Sequence, residues 1–342
     1  MKVVYSETHA GHAPRHFLVR GARVENPETP ARATALLAAA RAAGHEIVAP
    51  GDFGPGPRAL VHTPEYLRFL ETAHARWQEL DDPSDEVIPN VHPRRRAVSY
   101  PSGIVGQAGY HMTDTACPIG PGTWDAARAA ADVAAQTADL LLDGAPLAYG
   151  LCRPPGHHAY ADAAGGFCFL NNAAIAARRL GARLGRVAVL DIDVHHGNGT
   201  QAIFYHRADV LFVSLHADPT AFYPFFSGHA QERGAGPGLG YTLNLPLAPG
   251  SDDRVFLAAL DRALDAIRAY APGALVVSLG FDAFAGDPLS PLEVTTEGYA
   301  RAARAIAGLG PPTALIQEGG YDRASLGANL AAFLAACEEV RS

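Results

Sequence analysis

Two aspartates and a histidine at alternate positions, Asp191, Asp193 and His195, close a short apolar run, 187–190, and are followed at once by His196, Gly197, Asn198 and Gly199. An aliphatic run of this kind reads as a parallel strand covered on both faces, and such sheets place ligands beyond the carboxyl ends of their strands. A strand's period of two then puts Asp191, Asp193 and His195 on one face and Ile192, Val194 and His196 on the other. Two carboxylates and an imidazole on one face suit a divalent cation. A solvated turn or a buried hydrogen-bonded network is the competing reading, but three such groups are costly to bury without a metal or a counter-charge.

Three other apolar runs also end in polar residues. His157 and His158 follow 146–151, Asp282 follows 274–279, and Tyr321 follows 312–317. Singly, Asp282 or Tyr321 reads equally well as a turn residue. In an open α/β sheet, however, the carboxyl ends of the strands share one rim, so the four clusters can meet in one cleft.

The elements that must position these groups alternate along the chain. Residues 2–6 read as a strand, 29–43 as a helix opened by Thr-Pro and closed by Gly44, and 46–49 as a strand; Thr63 with Pro64 opens a helix through 70. Helices are expected over 124–142, 171–184, 252–271, 295–308 and 324–340, and strands over 210–215 and 241–245. A glycine-rich loop, 218–240, carries Phe222, Tyr223, Phe225 and Phe226. This predicts a single domain over residues 1–342, a three-layer α/β/α arrangement with a mainly parallel, doubly wound sheet. The rhythm breaks only at residues 76–122, which are rich in proline. They also carry Trp77, Ile88, Tyr100, Ile104, Val105 and Tyr110, more apolar side chains than a disordered linker would hold. This irregular insertion is expected to cover the mouth of a site, a subunit interface, or both.

Composition narrows the class of protein. The chain has 342 residues and a formal net charge of −8, and Arg94, Arg95 and Arg96 are its one basic cluster, read as a solvated loop or a subunit contact. A nucleic-acid partner is not expected, because phosphate recognition needs a concentrated basic face. No stretch reaches the 18 apolar residues of a membrane helix and the first residues lack a signal-peptide pattern, so a cytoplasmic protein with no membrane association is expected. Cys117, Cys152, Cys168 and Cys337 show no C-x-x-C spacing, which points to neither a disulfide framework nor a thiolate zinc site.

Six segments in order, Arg153-Pro-Pro-Gly-His157-His158-Ala, Gly166-Phe167-Cys168-Phe169-Leu170-Asn171-Asn172, Asp191 to Gln201, Ser214-Leu215-His216, Gly280-Phe281-Asp282 with Gly286-Asp287-Pro288, and Glu318-Gly-Gly-Tyr321, resemble the motif series of the zinc-dependent histone deacetylase superfamily. Within it, the bacterial acetylpolyamine amidohydrolases and histone deacetylase-like amidohydrolases are most similar. The resemblance runs over nearly the whole chain and implies the arginase/deacetylase fold. It also implies an amidohydrolase that releases acetate from N-acetylated small amines such as acetylpolyamines or acetylcadaverine. Asp193, His195 and Asp282 would ligate zinc, with Fe(II) as an alternative for so oxygen-rich a set. His158 would act as general base and later acid with His157 supporting it, Asp191 would orient His157, and Tyr321 would donate to the carbonyl oxygen. Phe167 and Tyr223, with Gly166, would line a narrow tunnel. Structural potassium would be held at one site by Asp191, Ser214 and Leu215, and at a second by backbone carbonyls of Phe204, Arg207, Val210 and Tyr241. Arg32 would lie in an internal channel, with a surface salt bridge as the alternative. A homodimer through the insertion is implied as well.

Two departures bear on specificity. Many eukaryotic members carry Asp where this chain has Asn198, and a neutral partner stabilises the imidazolium of His158 less. Acidic residues that read a distant ammonium in some polyamine enzymes are replaced by Val105 and Ala116; Asp114 is a nearby substitute, or a solvated loop residue. The alternatives to a small-amine deacetylase are a protein acetyl-lysine deacetylase and a non-catalytic binder of acetylated ligands. A binuclear manganese hydrolase of the arginase kind would need further ligands that Gly197 and Asn198 do not supply.

Overall fold

The chain is seen in a computed structural model that describes residues 1–93 and 99–341; the Arg94–Arg96 cluster falls outside them. The strands are β1 (Lys2–Val4), β2 (His16–Val19), β3 (Ala22–Glu25), β4 (Glu46–Val48), β5 (Leu147–Gly150), β6 (Val187–Asp191), β7 (Val210–Ala217), β8 (Thr242–Leu247), β9 (Ala274–Leu279) and β10 (Thr313–Gln317). The helices are α1 (Pro30–Ala42), α2 (Gly56–Ala59), α3 (Pro64–Trp77), α4 (Ile104–His111), α5 (Thr123–Leu142), α6 (Asn172–Leu184), α7 (Asn198–Phe204), α8 (Asp253–Tyr270), α9 (Thr296–Ala307) and α10 (Leu326–Arg341). Start signals read from the sequence act as expected. The Thr63, Asn171, Asp252 and Thr295 side chains each accept a bond from the first turn of the helix they open, and Pro64 occupies the first turn of α3.

Eight strands form one sheet in the order β4-β1-β5-β10-β9-β6-β7-β8, and every pairing in it is parallel. Side-chain alternation splits the core into two layers. Ala188 and Leu190 of β6 and Leu275 and Val277 of β9 join α1, α8, α9 and α10 on one face. Val187, Val189, Ala274 and Val276 join α3, α5 and α6 on the other. This is the three-layer, doubly wound arrangement that the alternating pattern predicts.

One consequence of the order governs the rest. The chain moves from β5 to β6 while leaving two places between them, and β9 and β10 later fill that gap. The four strands whose ends carry His157, Asp193, Asp282 and Tyr321 therefore stand side by side, in the sheet order β5-β10-β9-β6. A parallel sheet leaves its crevice where the winding reverses, at the carboxyl ends.

Four features differ from the sequence reading. Residues 16–25 form an antiparallel hairpin around Arg20 and Gly21, both at positive φ. The 76–122 insertion is not wholly irregular, since α4 lies within it. Val87, Ile104, Ala108, Met112, Cys117 and Ile119 from this segment pack into the core layer beside α3 and α5, and their burial is what orders it. A helix, α7, opens at Asn198 where no element is expected from the sequence, and β7 continues past residue 215 to Ala217, so His216 sits inside the strand.

Leu264 of α8 is 1% exposed in the core and Leu184 at the end of α6 is 37% exposed. Leu264→Ala should lower unfolding free energy by about 2–5 kcal/mol while Leu184→Ala changes it by no more than about 0.5 kcal/mol, read from denaturant midpoints.

Candidate active site

Beyond β6 the alternation continues after strand pairing ends. Ile192 and Val194 enter the core layer, while Asp191, Asp193 and His195 turn to the crevice. His195 Nδ1 lies 3.1 Å from Asp193 Oδ1 and 3.2 Å from Asp282 Oδ2. Asp191, which shares the face, is not in this group; its Oδ2 lies 3.0 Å from His157 Nδ1. The carboxylates of Asp191, Asp193 and Asp282 are all fully buried.

Among the described residues, two sets of side chains bring three ligand-type atoms within 4.8 Å of one another: Asp193, His195 and Asp282, and His157, Cys168 and Glu318. The two sets differ in how far their donor atoms are already engaged. Asp282 Oδ2 makes no well-formed hydrogen bond despite the nearby imidazole, so a buried oxygen is left for a cation. In the second set burial pushes the Cys168 thiol up and lifts Glu318 to about 8, keeping both protonated. Glu318 Oε2 there already accepts from the Gly156 and His157 amides, at 2.6 and 3.1 Å. Backbone also crowds the first set closely. A Cβ on Gly319 would stand 2.1 Å from Asp282 Oδ2 and 2.6 Å from Asp193 Oδ2, so only glycine fits, and the Gly319 amide donates to Asp193 Oδ2 at 2.8 Å.

The histidine pair stands in two different environments although the rings are 4.0 Å apart. Burial disfavours the imidazolium of His157, but Asp193 and Asp191 outweigh it and raise the ring well above the usual range. Burial, with the charges of His157 and His195, holds His158 well below that range. Its Nδ1 is 2.7 Å from Asn198 Oδ1, and the Asn198 amide donates in turn to the Tyr160 hydroxyl at 2.9 Å. An amide oxygen only accepts, so His158 carries its hydrogen on Nδ1 and leaves Nε2 bare.

Tyr321 follows β10 and is held from two sides. Asp287 Oδ2 accepts from the amides of Tyr321 and Asp322, at 2.5 and 2.9 Å. Arg32 is buried rather than on the surface. It donates to the Gly320 and Glu318 carbonyls at 2.6 Å each and to Glu28 Oε1 at 2.9 Å, with its guanidinium 4.7 Å from the Tyr321 ring centroid. Arg153 grips the same Glu28 carboxylate at 2.8 and 2.9 Å. Burial pushes the Tyr321 hydroxyl well above its usual range, so it stays a donor.

Aromatic rings wall the approach. Phe167 packs edge-on against Tyr321 at 5.7 Å and against Phe17 of β2 at 5.4 Å. Tyr223 packs edge-on against His158 at 5.0 Å, and Phe222 stacks on His195 at 4.9 Å. Neither Phe17 nor Phe222 has a role in the sequence reading. The turn signal at Arg20-Gly21 between HFLV and ARVE would have exposed the hairpin that carries Phe17; nothing local distinguishes Phe222. Asp114 is no solvated loop residue, since it bonds Tyr223 and Gly166. Asp287 was visible only as part of a motif, without a task.

Some of the residues expected at potassium sites are neighbours in the fold. Asp191 is in register with Ser214 across β6 and β7, and Ser214 Oγ is 2.8 Å from His216 Nδ1. Phe204, Arg207 and Val210 lie between the end of α7 and the start of β7. The Phe204 and Tyr241 carbonyls accept from the Arg207 and Phe212 amides, at 2.9 and 3.0 Å, and each keeps a second lone pair.

The histone deacetylase domain model matches residues 24–337. An acetylpolyamine amidohydrolase of Burkholderia pseudomallei is 51% identical over 323 residues, 94% of each chain. Acetylpolyamine amidohydrolase 2 of Pseudomonas aeruginosa is 46% identical over 332 residues, 96% of each. The crystal structure of acetylpolyamine aminohydrolase from Burkholderia pseudomallei superposes with a TM-score of 0.97 at 49% identity, covering 99% of both chains.

A cation binding to this cluster would have to displace protons from it. Burial disfavours the imidazolium of His195, but the carboxylates of Asp193 and Asp282 beside it outweigh that and lift it to about 9, while burial and the charge of Asp193 lift Asp282 to about 7. Zinc affinity, measured by competition with a chromophoric chelator, should rise with pH. The expected slope is about two decades per unit below pH 7 and about one between 7 and 9, flattening above 9; a pH-independent affinity would contradict this ligand set.

Proposed function

The chain belongs to the histone deacetylase domain family, and we propose that it removes acetyl groups from N-acetylated small amines, acetylpolyamines and acetylated diamines such as acetylcadaverine. Its activity is that of a deacetylase, an amide hydrolase. One arrangement carries the reading: a buried Asp-His-Asp cluster faces two histidines of opposite protonation and a tyrosine hydroxyl, behind aromatic walls.

Asp193, His195 and Asp282 would hold zinc, or Fe(II), leaving coordination open. When bound, such a metal polarises a carbonyl and acidifies water. Around it the side chains divide the work. His158, neutral with Nε2 bare, takes the proton of the attacking water and later delivers it to the departing amine. His157, kept charged by Asp191 and Asp193, supplies fixed positive charge beside the developing oxyanion. Tyr321 donates its hydroxyl to that oxyanion, and Arg32 and Asp287 hold its loop so that the donor is placed before reaction begins. Phe167 and Tyr223 admit a single alkyl chain and exclude water.

Potassium at the β6–β7 junction and at the α7 carbonyls fits the oxygen ligands gathered there. Among the described residues no helix is long and apolar enough to cross a membrane; a cytoplasmic location is part of the proposal. Exposed Val91 and Tyr100 on the insertion support its use as a homodimer contact.

Zinc-loaded protein should release acetate from N-acetylated diamines faster than from acetyl-lysine peptides, and the reverse order would transfer the reading to a protein deacetylase. His158→Ala should lower kcat by about 10²–10⁴-fold and Tyr321→Phe by about 10²–10³-fold. Asn198→Asp, which sets a carboxylate against His158, should raise its pKa and move the acid limb of the kcat/KM profile to higher pH; an unmoved limb would remove His158 from the base role.

A further inference from the structure

Both walls of the tunnel are fastened to one atom. Asp114 Oδ2 accepts from the Tyr223 hydroxyl at 2.6 Å and from the Gly166 amide at 3.0 Å, while its Oδ1 accepts from the Ala116 amide at 2.8 Å. The carboxylate comes from the 76–122 insertion, and neither wall belongs to that segment. Gly166 and Phe167 form a tight turn closed by the bridge between Gly165 and Cys168. Both have positive φ, +51° and +70°. For phenylalanine this left-handed conformation persists only where the surroundings enforce it. The Gly166 amide sits at the head of that turn, so the bond from Asp114 holds the conformation that projects Phe167 toward Tyr321.

The same oxygen fixes the opposite wall. The Tyr223 hydroxyl is drawn to Asp114 while the Tyr223 ring lies edge-on to His158 and His195, at 5.0 and 6.1 Å. The space behind is closed: a Cβ on Gly166 would stand 2.4 Å from His158 Cδ2 and 2.9 Å from the Tyr223 hydroxyl. If either bond to Asp114 is lost, one wall is free to move relative to the histidine pair. The apolar pocket by itself has little power to reject an extra methylene, so the aperture must come from rigid walls.

We propose that Asp114 is a specificity-determining positioning residue: its Oδ2 latches Tyr223 to the Gly166-Phe167 turn and thereby sets a tunnel width that passes an unbranched chain and rejects a branched one. The inference rests on the tunnel assignment of Phe167 and Tyr223 given above, and it makes the insertion part of the selectivity apparatus as well as a cover.

The test compares zinc-loaded full-length wild type with Asp114→Ala, Asp114→Asn, Tyr223→Phe and the Asp114→Ala/Tyr223→Phe pair, after thermal melts show each is folded. Substrates are an acetylated diamine, an acetylated monoamine of the same length, and for each the analogue with a methyl branch on its alkyl chain. Asp114→Ala should raise KM for the unbranched substrates more than it lowers kcat, and should narrow the unbranched-over-branched preference by about tenfold or more. Asp114→Asn, which keeps an accepting oxygen, should recover most of the preference. The double variant should be no worse than Asp114→Ala, because both changes break one latch. An unchanged preference in folded Asp114→Ala overturns the latch. So does a loss confined to the diamine, because the carboxylate would then be reading the second ammonium. Absence of acetate release by wild type would refute the proposed function instead.

Discussion

Everything in this molecule answers to the burial of several carboxylates in one small volume. Asp191, Asp193 and Asp282 stand at the ends of β6 and β9 with no solvent exposure, and Glu318 lies beneath them, equally buried. In so dry a place a carboxylate either keeps its proton, as Glu318 does, or is sustained by opposing charge and donors aimed at it. The protein supplies imidazoles, His157 against Asp191 and His195 between Asp193 and Asp282, and backbone amides from Val194, His195 and Gly319. One carboxylate oxygen of Asp282 is left without a hydrogen bond. A buried acceptor of this kind is what a bound cation would satisfy.

That concentration of charge explains the asymmetry of the histidine pair. With adjacent rings and nearly equal burial, the two side chains differ only in their partners: a carboxylate faces one and an amide the other. One ring is held charged and the other neutral, so two identical residues perform two tasks. A second buried ion cluster, Glu28 shared by Arg32 and Arg153, lies on the far side of Tyr321 and carries one more positive than negative charge. It braces the tyrosine loop from below while Asp287 braces it through the backbone.

Much of this was legible residue by residue. The apolar runs followed by polar clusters marked where strands end, and helix starts such as Thr63-Pro64 and Asn171 were readable because they act locally. The alternation through Asp191, Asp193 and His195 correctly separated crevice from core, since a strand's geometry fixes which side chains share a face. It could not divide that face into metal ligands and a histidine partner; that division came with the family resemblance alone. The hairpin at residues 16–25 and α4 escaped because each is stabilised by what it packs against, Phe167 for one and the α3–α5 core layer for the other.

The sequence by itself determined the chemical inventory and the strand ends at which it appears, because residue type and local period suffice for both. Only the tertiary structure decided which ends meet. The crossover that leaves two places for β9 and β10 sets His157, Tyr321, Asp282 and Asp193 on neighbouring strands, although long stretches of chain separate them. It also brought Asp114 to Tyr223 and Gly166, and Arg32 to Tyr321, contacts between distant segments that no local pattern encodes. They form because buried polar groups must find partners, and the folded sheet dictates which partners lie within reach.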